Sequence, residues 1–393
     1  MPRRAAITLL LPIFGASADL LGAPYRNIRW LTRGIGSELL TNIGGRGGPP
    51  WQRSLDEHRS RRAPPKGVGN GSIAIVTGAT GGIGAEVCRG LAHLQFHVVV
   101  AARDRTRGAA LAASLQSAGG SAEFVELWVD STESVRAFAA KMRGRPCALL
   151  INNAGLMSVA KGDIMRTNLI GPSLLTVALL PSLRLYAAAA DGTSNDNLAR
   201  ASSGAAGHQL PLPRIVNVAS SSHLRAGRVD PSLLENSRRD ADLSAYAQSK
   251  LGLMQFSTLA RASLPWLTIV DAHPGIVWTP MLQRHWGAKV APLLERSRIS
   301  RVLFKTPSSG ANTILTAALS PKHPPPAWGE RSRWRRGWEA GPYFVNRRPG
   351  GFASAESRDL EAAKATWRAM IEPLARDVAP EGCREVGAAI QSI

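Results

Sequence analysis

Ile73-Ala-Ile-Val-Thr-Gly78-Ala-Thr-Gly-Gly82-Ile-Gly84 carries a run of apolar, mostly β-branched residues straight into glycines spaced G-x-x-x-G-x-G. A buried strand is expected to deliver the chain into a helix N-terminus there, with the helix running from Gly84 to Leu94. Gly78, Gly82, Ile83 and Gly84 then form a turn whose backbone N–H groups can approach a dinucleotide pyrophosphate, and the helix dipole favours that anion.

Working outward, a second apolar strand, His97-Val-Val-Val-Ala-Ala102, ends in Arg103. In a dinucleotide-binding βαβ unit the second strand's end selects the cofactor. A carboxylate there would hold a ribose 2′-hydroxyl, whereas Arg103 and Arg105 suit a 2′-phosphate, so the expected cofactor is NADP(H). A third strand is expected at Phe124-Val-Glu-Leu-Trp-Val129, a fourth at Ala148-Leu-Leu-Ile-Asn152 and a later one at Leu267 to Ala272. Ser220 ends Arg214-Ile-Val-Asn-Val-Ala-Ser, Asn168 lies in Asn-Leu-Ile-Gly171, and Tyr246-Ala-Gln-Ser-Lys250 opens an apolar helix. With 4 Tyr and 8 Lys in 393 residues, a chance Y-x-x-x-K is expected roughly 0.08 times.

In this order the motifs resemble the short-chain dehydrogenase/reductase superfamily, from about Gly71 to Leu374. The phrases Arg214 to His223, Ala272-His-Pro-Gly275, Lys305 to Ala311 and Gly341-Pro-Tyr-Phe344 are most similar to its retinol-dehydrogenase-like branch. The resemblance implies an α/β fold, a doubly wound Rossmann-type parallel sheet in one domain. It implies an oxidoreductase in which Tyr246 is the general acid/base, and Lys250 its electrostatic partner and a ribose ligand. Ser220 would hydrogen-bond the substrate oxygen, and Asn168 would anchor a water in the proton relay. One turn apart on a helix, Lys250 is expected to lower the Tyr246 pKa. Asn152, Ala154 and Gly155 are expected beside the adenine-ribose half, and Pro274, Gly275 and Thr279 over the nicotinamide carboxamide. His273 is expected to pack.

The sequence departs from that pattern in two places. Trp128 stands where the family has an acidic residue that meets the adenine, and Asp130 is the nearest substitute. The segment from Leu156 to Thr167 is short for the helical stretch expected before Asn168.

A domain over 71–375 leaves an extension at 1–70, insertions at 186–213 and 321–340, and a tail at 376–393. The first insertion is rich in Ala, Ser, Gly and Asn and reads as disordered. The second, basic one falls where this fold places its substrate lid. The net charge of +20 invites a nucleic-acid reading, but Arg outnumbers Lys 40 to 8 and much of the charge lies in the extension and the basic insertion. No nucleic-acid partner is expected. Cys88, Cys147 and Cys383 have no C-x-x-C spacing, the 8 His show no paired ligand spacing, and no metal is expected.

Pro2-Arg-Arg4, an apolar run from Ala5 to Ala18 and Ala16-Ser-Ala18 have the form of a signal peptide, followed by a basic tract to Pro65. Delivery to an organelle such as a plastid, or anchoring at an ER-type membrane, is expected. The substrate is expected to be a small lipophilic carbonyl or alcohol, since the variable loop after Gly275 holds Trp278, Met281, Leu282 and Trp286. The competing reading is an NADPH-binding scaffold or redox sensor with little turnover.

Overall fold

The computed structural model describes residues 68–157, 164–190, 210, 212–236, 243–283, 304–320, 342–345, 347–349 and 353–393. One sheet has the strand order β3-β2-β1-β4-β5-β6-β7-β8. The strands are β1 Ile73–Thr77, β2 His97–Ala102, β3 Ser121–Glu126, β4 Cys147–Asn152, β5 Arg214–Val218, β6 Thr268–His273, β7 Tyr343–Val345 and β8 Arg348–Pro349. All pairings are parallel except that of β8, which turns back on β7. The chain reverses direction across the sheet between β1 and β4, and that switch point is where a doubly wound sheet opens its ligand crevice.

Helices cover both faces: α1 Gly82–His93, α2 Arg105–Ser117, α3 Thr132–Met142, α4 Gly171–Ala190, α5 Leu243–Ser263, α6 Pro307–Leu319, α7 Leu360–Thr366, α8 Glu372–Val378 and α9 Pro380–Gln391. Alternation within each strand divides the core in two. Ile75, Leu150, Ile215 and Ile269 pack toward α3, α4, α5 and α7 to α9. Val76, Val100, Ile151 and Val270 pack toward α1, α2 and α6. Burial on both faces is why the strands read as continuous apolar runs.

The expected strand at Phe124–Val129 is corrected to Ser121–Glu126. Its register matches β2 residue for residue, from His97↔Ser121 to Ala102↔Glu126, so it stops where β2 stops and leaves Trp128 beyond the strand. The expected tail at 376–393 is corrected too. Helix α9 buries Cys383, Val386 and Ile390 in the core, and Glu385 pairs with Arg184 of α4. The insertion begins later than expected, because α4 runs to Ala190 and the buried Tyr186 hydroxyl donates to the Leu210 carbonyl. The expected disorder of its centre, the basic insertion and the extension before Val68 lie outside the described residues, whereas the end of the extension is corrected: Val68 packs on the core and the Gly69 N–H donates to the Leu94 carbonyl at 2.8 Å. Helix α4 is apolar enough to span a membrane by composition, but it packs against β4, α3 and α9 within the domain.

Candidate active site

The glycine turn follows β1. Gly78 has φ +62°, and a Cβ on it would lie 2.8 Å from Ala154 Cα. At Gly84 the constraint is proximity: a Cβ would lie 2.6 Å from both Asn153 Nδ2 and the Gly78 carbonyl. Helix α1 starts from Gly81 with no side-chain cap, whereas Asp104, Ser131, Thr306 and Asp359 cap α2, α3, α6 and α7. Its first N–H groups therefore remain available for an anion. Ile83 turns its side chain to Gly310 of α6, so only its backbone faces the turn.

Asn152 needs correcting. Its Nδ2 donates to Asn217 Oδ1 at 2.8 Å and to Thr176 Oγ1 at 3.3 Å, inside the protein. Asn217 Nδ2 donates to Ser257 Oγ, Ser257 donates to Asp271, and Arg261 pairs with Asp271 at 3.1 Å. Asn152, Asn217 and Asp271 are register partners on β4, β5 and β6, so this polar ladder crosses the sheet on one face. The residue that serves the turn is Asn153, which had drawn no attention in the sequence. Its Nδ2 donates to the carbonyls of Thr77 at 2.9 Å and Gly78 at 3.2 Å, and Thr77 Oγ1 accepts the N–H groups of Asn153 and Ala154 at 3.0 Å. Strand parity was the signal, since a residue one place past Asn152 faces the other way.

At the end of β2, Arg103 holds its guanidinium 5.9 Å from the Trp128 ring centroid. Arg105, expected beside it, is committed to Glu126 at 2.6 Å. Asp130 is partly exposed just before the Ser131 cap of α3. Across the crevice, Thr279 Cγ2 would lie 3.3 Å from a Cβ on Gly82, so the loop after β6 closes over the glycine turn. Gly275, after Pro274, has φ +88°, and the stem of buried Lys305 crosses it. The sequence assigns Lys305 no role at the site.

Four polar side chains meet below this crevice. Ser220 lies beside the Tyr246 hydroxyl, and its Oγ accepts the Ser222 N–H at 3.2 Å. One turn along α5, Lys250 Nζ donates to the Val218 carbonyl at 2.8 Å. Asn168 lies in a π-turn, Arg166–Ile170, that leads into α4, and helix already begins at Ile164 despite the short preceding segment. Its Oδ1 accepts the Leu156 N–H and its Nδ2 donates to the Leu156 carbonyl, both at 2.8 Å, and to Ser249 Oγ at 3.0 Å. A Cβ on Gly155 would lie 3.3 Å from Asn168 Oδ1 and 3.7 Å from Lys250 Nζ, filling the space between amide and ammonium. That space and the uncapped α1 fit a dinucleotide laid across the switch point. A hollow of about 300 Å³ lined by Gly71, His97, Arg145 and Tyr186 opens at the opposite end of the strands.

The expected lowering of the Tyr246 pKa by Lys250 is not the dominant effect. Burial raises the phenol above its ordinary value, opposed by the Ser220 hydroxyl beside it and by the charge of Arg225. Lys250 lies 5.9 Å from the ring, and burial pushes its own pKa down to about 8. Desolvation exceeds the pair attraction because both groups are deep in the protein.

Behind Ser220, the buried His223 has Nδ1 2.6 Å from the Ser220 carbonyl, and its Nε2 accepts the Ser354 N–H at 3.2 Å. These partners require the neutral ring. Burial lowers its pKa from 6.5 to about 4, with neighbouring His273 adding to the effect and Glu356 opposing it. Below pH 6.5 the unfolded imidazole takes a proton that the folded one refuses until about pH 4, so stability falls as the pH drops through this window. The expected loss between about pH 7 and pH 5 is about 2 kcal/mol, read as denaturation midpoints across that window. His223→Gln should flatten that slope, and an unchanged slope would remove His223 as its source.

A family profile for short chain dehydrogenase matches residues 72–210. Polyprenol dehydrogenase of Mus musculus is 35% identical over 269 residues, covering 64% of this chain and 72% of its own. Dehydrogenase/reductase SDR family member 13 of Homo sapiens is 32% identical over 336 residues, with 77% and 82% covered. Retinol dehydrogenase 12 of Mus musculus is 27% identical over 317 residues, with 77% and 86% covered. A crystal structure of an uncharacterised protein from Mycobacterium paratuberculosis shares the fold, with a TM-score of 0.51 at 24% identity over 79% of this chain and 93% of that one. With this kinship added to the sheet order and the site, the chain belongs to the short-chain dehydrogenase/reductase family, in its retinol-dehydrogenase-like branch, and is an oxidoreductase of CH–OH groups.

Proposed function

We propose that this protein interconverts a lipophilic alcohol and its carbonyl compound with NADP(H), with Tyr246, Lys250, Ser220 and Asn168 as the catalytic set. The observation that carries the reading is the convergence of Ser220 and the buried Tyr246 with an ammonium and an amide flanking Gly155, beneath a glycine turn. The bound nicotinamide supplies or accepts the hydride. In the reducing direction Tyr246 gives its hydroxyl proton to the carbonyl oxygen, and Ser220 hydrogen-bonds that oxygen. Burial favours the protonated phenol, which suits an acid at neutral pH. Lys250 retains much of its charge near pH 7, would hold the ribose of the bound cofactor, and would stabilise the phenolate left after transfer. Asn168 holds the Leu156 backbone with both ends of its amide and anchors the relay water there.

Relatives named for polyprenol and retinol support an isoprenoid alcohol or aldehyde as the substrate class. Trp278, whose ring is tilted against Phe304 at 5.0 Å between centroids, and Met281 offer apolar surface on the loop that covers the site. The segment before Val68 is read as an organelle address or membrane anchor. The test is NADPH consumption with an isoprenoid aldehyde against a short polar aldehyde, and lack of turnover with both would overturn the reading.

Cofactor choice rests on Arg103, since Arg105 is held by Glu126. The protein is expected to bind NADPH at least about tenfold more tightly than NADH, and Arg103→Asp should reverse the order. Fluorescence titration decides this, and equal affinities in the unmodified protein would refute it.

A further inference from the structure

We infer that Trp128 is the adenine platform of the crevice, so that this chain recognises the base by its π-face and not by its 6-amino group. The inference rests on the NADP(H) reading above. With the pyrophosphate at α1 and the adenosine ribose at the end of β2, the base must lie beyond β2, toward the end of β3. Trp128 stands there, two residues past β3, and at 45% exposure it is an uncommonly open large side chain.

The ring is also held in place. The Trp128 N–H donates to Ser134 Oγ at 2.9 Å, and the indole Nε1–H donates to Glu126 Oε1 at 3.1 Å. Glu126 Oε2 is in turn fixed by Arg105 at 2.6 Å. A loop aromatic tethered at backbone and ring keeps an exposed face in a set orientation, which is what a stacking surface needs. The Arg103 guanidinium lies 5.9 Å from the ring centroid, so a base and its 2′-phosphate can meet ring and charge together. The carboxylates that could instead accept from a 6-amino group are engaged: Glu126 as described, and Asp104 with Arg107. Asp130 is the remaining rival, two residues farther along.

The two modes differ in what they demand of the base. A carboxylate acceptor needs the 6-amino group, whereas a stack tolerates hypoxanthine in its place. Calorimetric titration of the full chain with NADPH, its hypoxanthine counterpart and adenosine 2′,5′-bisphosphate separates them. The unmodified protein should bind the two dinucleotides within about threefold, and Trp128→Ala should weaken all three ligands by about tenfold, with Trp128→Phe keeping most of the affinity. Trp128→Asp should restore a preference for the amino base. A tenfold or greater preference for NADPH in the unmodified protein, or unchanged binding in Trp128→Ala, would overturn the inference. No binding of adenosine bisphosphate to the unmodified chain would instead overturn the NADP(H) reading, and the platform with it.

Discussion

Tyr246→Phe should lower turnover by at least about 10²-fold while NADPH binds as before. The ring is 7% exposed and packs with Ile164 and Ala245, with Leu156 and Met157 alongside, and phenylalanine keeps those contacts. Only the hydroxyl is lost, and with it the proton the carbonyl oxygen must receive. Single-turnover rates set beside cofactor titration measure the two effects separately. More than about a tenth of the original rate would mean that the proton comes from another group.

Gly84→Val should cost the protein at least about 100-fold in NADPH affinity. The added Cβ would lie 2.6 Å from Asn153 Nδ2 and the Gly78 carbonyl, and neither can yield easily. The first is tied to Thr77 and Gly78, and the second is backbone of the turn itself. The turn must move off α1, and the overpacking adds a stability loss of about 1–3 kcal/mol. Gly81→Ala is the control for folding, because a Cβ there meets nothing within 4 Å and φ is −173°. Normal NADPH affinity in Gly84→Val would remove this turn as the pyrophosphate seat.

What was legible in the sequence was what depends on backbone chemistry and strict spacing. The Gly78 to Gly84 turn, the end of β2 at Arg103 and the Tyr246 to Lys250 step are local, and local rules found them. Side-chain facing was less legible. Asn152 and Asn153 are adjacent amides, and only pairing with Asn217 shows which one turns inward. The end of β3 was misplaced because apolar content runs past Glu126 to Val129, whereas the partner strand ends at Ala102. Helix α9 reads as a tail in the sequence because its apolar positions are few, and only the surfaces of α4, α5 and α8 give them something to cover. The Tyr246 pKa was misjudged for a related reason: spacing reports which charges are near, and burial is a property of the whole fold.

The polar ladder from Asn152 through Asn217 to Asp271 acts as a check on strand register. A slip of β5 by one residue would turn Asn217 to the other face. Asn152 and Ser257 would lose their central partner, and an amide would be driven among the side chains of α1 and α6. An apolar sheet centre would tolerate such a slip far better, since valine pairs with valine in either alignment. Unmade hydrogen bonds in a buried setting cost about 1–3 kcal/mol each, so misaligned pairings are penalised several times over. Ser220 and the loop after His273 leave the sheet directly beyond these strands. The same ladder that rejects wrong alignments therefore fixes, to the residue, which side chains emerge at the crevice.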